Sequence, residues 1–388
     1  MRKKIVGISL LSLITGASFI ICLSASLNKN SINIVKGDPT SYSLLFDKDN
    51  NKLTTSDSFT SGNKDIGPTT FIFTNIKSES NSWQTLNASN SGIKNNLPIH
   101  GLTNISITTA TTTSFDIKYG FGESISLGGI TLSGDTSYSY NFDNTTPSYF
   151  SISNASDTLS IVSMSITYSC DNTYYGQTPL FIDSNQYVIY GMYPYSQITN
   201  NSLISTLDSH KGVDPYITYG NDYYYFYNSN WYNVEPIKWR VLDNADGYLL
   251  LSEYILDNHR FDDDSSDYST SEIRDYLLND FYDIAFGISD TYINKDNDKI
   301  SLLSQADYMK TSYGFTTNGN ATSKREASYS DFAVAKGIKT TSNQKGPYWT
   351  QTKQNDVRVY YCSEAGQIGY IAATTSNYGI RPAVKINL

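Results

Sequence analysis

Ser269-Thr-Ser-Glu-Ile-Arg-Asp-Tyr-Leu-Leu-Asn-Asp-Phe-Tyr-Asp-Ile-Ala285 carries the clearest helical period in this 388-residue chain. Ile273, Tyr276, Leu277 and Phe281, then Ala285, hold the i, i+3, i+4, i+8 spacing that places side chains on one helix face. Ser269 with Glu272 three residues on makes a capping box, in which each side chain satisfies the other's free backbone N–H. The pattern predicts one amphipathic helix over about 270–285.

Around that helix the chain reads as strand. Trp239, Val241 and the Tyr248–Leu251 run flank a turn at Asn244-Ala-Asp-Gly247, and Ile300–Leu303 is a further strand. Gln305–Thr311 and Asp331–Lys336 read as short helices, the second ended by Gly337, and the last forty residues as strand, hairpin, strand. Residues 181–388 therefore read as an α+β domain. Before it, short β-type runs recur without helices: Tyr42–Phe46, Thr70–Phe73, Ile105–Thr109, Phe115–Tyr119, Tyr138–Phe142, Tyr149–Ser153 and Leu159–Tyr168. Several alternate apolar and polar residues, as half-buried strands do, so residues 27–170 predict a jelly-roll-like β-sandwich. The polar, turn-rich stretch 171–180 reads as the linker, and each half is expected to fold on its own core.

Five blocks in the second half follow one another in a set order: Ile237–Leu242, Tyr248–Tyr254, Ser271–Phe281, Ile300–Ser304 and Tyr378–Val384. They resemble a domain of unknown function common in surface and secreted proteins of Gram-positive bacteria and mollicutes. The resemblance implies a C-type-lectin-like fold, in which a helix packs on a small irregular antiparallel sheet whose ends meet. It gives structural weight to Trp239, Arg274 and the closing element Gly379-Ile-Arg381-Pro382-Ala383. Tyr268 stands where that family has tryptophan, and Thr350-Gln-Thr352 lacks the arginine the family often carries there. The first half is similar to a sandwich module of mollicute and clostridial surface proteins, through Tyr42–Asp47, Trp83–Leu86, Pro98–Leu102, Pro147–Ser153 and Ser165–Tyr168.

Arg2, Lys3 and Lys4, an apolar run from Ile5 to about Leu23 and small residues Ser24-Ala-Ser26 form the pattern of a secretory signal peptide over 1–26. An uncleaved anchor is the rival reading, and Cys22 invites lipidation, although Ile21 is large for a lipobox. No later segment is apolar enough to span a bilayer, so the expected address is extracellular, secreted or surface-attached. Losing a leader with three of the 28 basic residues and none of the 37 acidic ones takes the net charge from −9 to about −12. So acidic a chain repels polyphosphate backbones, which excludes nucleic acid as the expected partner. Cys170 and Cys362 are read as two free buried thiols, with a bridge left open. The 33 tyrosines are first a matter of composition: Tyr, Asn, Lys and Ile are all abundant, as an AT-rich genome dictates.

Motifs for catalysis are missing. The three histidines form no i, i+4 ligand pair, no serine sits in a nucleophile elbow, and no phosphate loop follows a strand. Two carboxylates across a cleft are all a glycosidase needs, so a glycan-acting hydrolase stays the alternative. No cofactor is expected apart from calcium, for which Asp262, Asp263 and Asp264 are the best candidate ligands, against a reading of the same acids as a solvated loop. Ligand contact is assigned to aromatics: Tyr224, Phe226 and Trp231 in an apparent inserted loop or hairpin, and Trp83 in the first half. The rival readings are packed tyrosines in an ordinary hairpin and a Trp83 plugging the sandwich core. The expected function is non-catalytic binding of glycans or surface proteins, with an extracellular enzyme and a structural spacer as alternatives.

Overall fold

In the computed structural model, described residues are 42–67, 69–99, 101–142, 147–154, 157–169, 176–219, 222–287 and 289–388. The leader, Cys170 and half of the linker lie outside them. The protein is mostly β-sheet, with few helices.

The first half is a sandwich-like wrap of one 11-stranded antiparallel sheet. Its path runs through Gly128–Leu132, Phe115–Gly120, Tyr149–Asn154, Ser91–Asn95, Thr69–Glu79, Ser82–Leu86, Leu159–Tyr168, Leu102–Thr109 and Ser137–Asn141. Tyr42–Phe46 adds beside Leu159–Tyr168, and Thr60–Ile66 beside Thr69–Glu79. Strands far apart on this path meet across the core, where Phe115 packs on Tyr138 at 5.3 Å and Phe46 on Phe71 at 5.4 Å between ring centres. Alternation explains the burial. Along Leu159–Tyr168, Leu159, Ile161, Met164, Ile166 and Tyr168 are buried, and a bulge between Ile161 and Ser163 absorbs the extra residue in the pattern.

The second half has its own core under a seven-stranded and a five-stranded sheet. The larger sheet is built on Tyr187–Gln197 and Asn230–Asp243; the smaller joins Asp257–Asn258, Gly379–Ile380, Tyr348–Asn355, Arg358–Cys362 and Ile368–Ala372. Trp239 is buried and donates to the Tyr190 carbonyl at 2.6 Å.

The expected helix runs from Glu272 to Phe286, with a wider, π-type turn at Leu277–Phe281. Ile273, Leu277, Phe281 and Ala285 are all buried. Their strict four-residue spacing outruns a 3.6-residue turn, and the wide turn keeps Phe281 and Ala285 on the buried face. The cap differs from expectation. Ser269 lies in a preceding turn that Asp267 caps, and Ser271 caps the helix, accepting from the Arg274 N–H. Arg274 ties the helix to the following loop through Asp298 at 2.8 and 2.6 Å.

The halves touch. Asn233 donates to the Phe121 carbonyl at 3.0 Å, Lys238 to that of Leu127 at 2.8 Å, and Ser196 to Ser124 Oγ at 2.7 Å, around an apolar patch of Phe121, Leu127 and Ile189.

Candidate functional site: a polar cleft beside the long helix

The aromatic residues assigned to ligand contact are mostly core. Trp83 has no exposed surface; its indole N–H donates to the Asn51 carbonyl at 2.9 Å and its ring packs on Phe46. Tyr224 and Trp231 are buried beneath the helix Asn201–His210, with the Trp231 N–H given to Asp208 at 2.8 Å. Phe226 is half-buried, edge-on to Trp231, and covered by the Lys211 ammonium 3.2 Å from its ring centre. The stretch is an ordinary hairpin, with Tyr227 opposite Asn230 across a two-residue turn. Its alternation buries Tyr224, because Leu203 and Leu207 of the helix cover that face.

A different place gathers the polar chemistry. Gly379 pairs with Asn258 in the small sheet, and a side chain there would run into Ile255 and Ile338, so only glycine lets these strands close. Arg381 follows, without exposed surface. It donates to the Ser252 carbonyl at 2.8 Å and to Tyr348 Oη at 3.1 Å, and the buried Pro382 carbonyl accepts from the Ser252 N–H at 2.9 Å. This framework presents Asp257 and Asn258 beside the helix.

Asp257 is fully buried. One carboxylate oxygen accepts from Tyr193 at 2.5 Å and from Tyr276 at 2.6 Å, and the other accepts the Asn258 N–H at 2.6 Å. Lys336 sits 3.9 Å away, its ammonium 5.4 Å from the ring centres of Tyr227 and Tyr276 and 6.0 Å from that of Phe332. Burial first, then the Asp257 charge, pushes both phenols far up, so Tyr193 and Tyr276 remain donors at any physiological pH.

Above this cluster opens a cleft of about 520 Å³, lined by Asn258, His259, Arg260, Glu272, Asp275, Tyr276, Asp280 and Ser376. His259 and Tyr276 stack at 4.6 Å between ring centres and 19° between planes. Arg260 grips Glu272 at 2.5 and 2.7 Å and reaches Asp263 at 3.4 Å. Asp275 and Asp280 are exposed carboxylates on one helix. Sequence reading missed this cleft, because Tyr276 registers there as one member of an apolar stripe. The available signal was the polar run Asp257-Asn-His-Arg260 between apolar Leu256 and Phe261.

Asp262, Asp263 and Asp264 do come together, with carboxylate oxygens within 4.8 Å of one another. Asp262 nevertheless spends both oxygens on backbone: one accepts from Asp264 and Ser265, the other from Glu272 at the helix start. Asp263 faces Arg260, and the neighbouring Asp262 holds the Asp264 carboxyl above its usual range. As placed, Asp262 builds the turn that launches the helix. Cys362 is buried and free, and burial pushes its thiol up to about 11.

No family model and no curated protein matches the chain. Among solved structures, one from work on glycan recognition in the Ruminococcus flavefaciens cellulosome aligns at 12% identity, over 33% of this chain and 94% of that one, with a TM-score of 0.19. A low-affinity xylan-binding module from the gut symbiont Roseburia intestinalis aligns at 17% identity, over 32% of this chain and 93% of that one, with a TM-score of 0.20. The likeness covers about a third of this chain and extends no further than that.

Proposed function

We propose that this protein is an extracellular, non-catalytic glycan-binding protein whose second half holds the sugar in the cleft beside the helix Glu272–Phe286. The observation that carries the reading is the stacked His259–Tyr276 pair in an open cleft rimmed by carboxylates. A sugar ring offers an apolar C–H face and a periphery of hydroxyls, and such a cleft supplies a ring surface for one and acceptors for the other. The leader pattern of residues 1–26 supports the extracellular address. The second half is proposed to be C-type-lectin-like. Support comes from its final strand, Ala383–Ile386, which returns to pair with Tyr248–Ser252, and from Phe181 near its start, whose ring lies 4.8 Å from that of Tyr248.

A glycan-acting hydrolase would use the same acids. However, Arg260 holds Glu272 twice over, and Asp275 and Asp280 project from one helix instead of facing each other across the cleft. Binding fits that arrangement better.

A glycan-array screen of the secreted chain, with His259→Ala alongside, tests the proposal. Wild type is expected to retain a defined set of glycans and His259→Ala to bind them about tenfold more weakly, a loss of about 1.4 kcal/mol. Undiminished binding by the variant places the sugar elsewhere. Retention of no glycan overturns the function.

A further inference from the structure

We infer that the joint between the two halves is a pH-operated latch, closed while Glu235 carries a proton and opened once that proton leaves along a chain of serine hydroxyls.

The joint hangs on one loop. Among the described residues, the hydrogen bonds between the halves meet the first half at residues 121–127. Asn233 and Lys238 donate to the carbonyls of Phe121 and Leu127 at its ends, and Tyr254 donates to that of Ser126. Glu123 accepts from Thr199 Oγ1 at 2.7 Å, just ahead of the helix Asn201–His210. Glu235 lies against this loop with 5% of its surface exposed, and Gly122 packs directly on its carboxyl.

Geometry places a proton on that acid. Ser196 has a single hydroxyl proton, which it donates to Ser124 Oγ at 2.7 Å, and Ser124 donates its own to Ser126 Oγ at 3.2 Å. The close contact between the Ser196 hydroxyl and Glu235 Oε1 therefore takes its proton from the carboxyl. The hydroxyls lead from the buried acid to Ser124, which is exposed.

The surroundings disfavour a negative charge at Glu235. Beside it the joint encloses a cavity of about 20 Å³, room for roughly one water and too little to hydrate a carboxylate. The Asp331 charge faces it, as do the neutral phenols of Tyr149, Tyr195 and Tyr254. Glu123 is a second acid of the same loop, raised by burial against the opposing charge of Lys94. Lys238 also lines the cavity, but its ammonium is given to the Leu127 carbonyl at 2.8 Å and lies 4.3 Å from the Tyr187 ring centre. The other charges near Lys238 are those of Glu253, Asp183 and Arg240. Burial foremost holds the Glu235 carboxyl at about 8, against 4.5 in water. An ionised Glu235 regains water only if loop 121–127 lifts away. The ratio of open to closed joint therefore rises about tenfold per pH unit between 4.5 and about 8, then levels off.

Small-angle X-ray scattering of the full chain from about pH 5 to about pH 9, with circular dichroism of the same samples, tests the latch. Wild type is expected to expand reversibly towards the alkaline end with its dichroism unchanged, and Glu235→Gln to stay compact throughout. Ser124→Ala, at an exposed position, frees the Ser196 proton to turn to Glu235. The closed joint then tolerates the charge, so this variant should open less than wild type. A wild type that stays compact at every pH overturns the latch. Expansion of Glu235→Gln in step with wild type does the same, as does expansion with loss of dichroism, which is unfolding. A Ser124→Ala curve that matches wild type overturns the hydroxyl chain.

Discussion

Arg325 and Arg381 show how a single buried guanidinium organises irregular chain. Arg325 has no exposed surface and donates to the carbonyls of Gly366 at 2.8 Å and Tyr308 at 3.0 Å, to Thr316 Oγ1 at 2.9 Å, and to the Asn320 carbonyl. Five donors in a rigid fork can serve loops that share no ladder, which a lysine cannot do. Arg325→Lys should therefore lower stability by about 2–4 kcal/mol, because it strands several buried carbonyls at once. Urea denaturation checks this, and a change below about 0.5 kcal/mol would mean that water replaces the fork. Only one of the two arginines was legible beforehand. Arg381 stands between Gly379 and Pro382, a local geometry that marks a fixed position. Arg325 sits in Thr322-Ser-Lys-Arg-Glu326, a polar stretch with no local mark of burial, and two of its partners, Tyr308 and Gly366, are distant in sequence. The same limit hid Asn258, whose side-chain NH₂ reaches the carbonyls of Lys336 and Ser376.

At the scale of elements, periodicity was a good guide wherever one face is buried. Leu159–Tyr168 announces itself by alternation, and the long helix by its stripe. Thr60–Ile66 does not, since apart from Ile66 it has no buried residue, and a strand wet on both faces leaves no pattern to read. The tyrosine hairpin erred in the other direction. Its alternation was visible, but which face is covered depends on the helix Asn201–His210, whose packing no local pattern encodes. Trp231→Ala should consequently cost about 3–5 kcal/mol by opening a cavity under that helix, with any loss of binding following the loss of fold. Parallel thermal melts and glycan titrations separate the two effects. The hairpin turn offers a test of opposite sign. Asn228 and Ser229 both adopt positive φ, 46° and 64°. That combination is what a two-residue turn between right-twisting strands requires, and it disfavours serine. Ser229→Gly should raise the melting temperature by about 2–4 °C, for a gain of about 1 kcal/mol.

For the whole molecule, the contact between the halves is built around a carboxyl that burial keeps protonated. Glu235 lies at that contact, where it accepts the Ser196 N–H and shares a hydrogen bond with the Ser196 hydroxyl, whose own proton goes to Ser124 of the first half. Gly122 closes against it so tightly that a methyl group there would collide with the Glu235 carboxyl. Burial foremost, with the Asp331 charge adding and the hydrogen bonds of Ser196 and Asn233 opposing, pushes the Glu235 carboxyl up from 4.5 to about 8. Glu123, also at the contact, is raised in the same direction by burial. The native state thus holds a proton that the unfolded chain releases. Its contribution to stability is complete at pH below about 4.5, is lost as pH rises towards about 8, and is gone above that. Each pH unit within that window costs about 1.4 kcal/mol. Thermal melts across the window should show the wild type losing stability towards alkaline pH relative to Glu235→Gln, whose neutral amide mimics the protonated acid and should flatten the profile. A parallel pair of curves would show that Glu235 is ionised in the native state. Gly122→Ala supplies the structural control. If the halves hold together through this contact, the added methyl should destabilise it at every pH, and limited proteolysis should cut near residue 175 faster than in wild type.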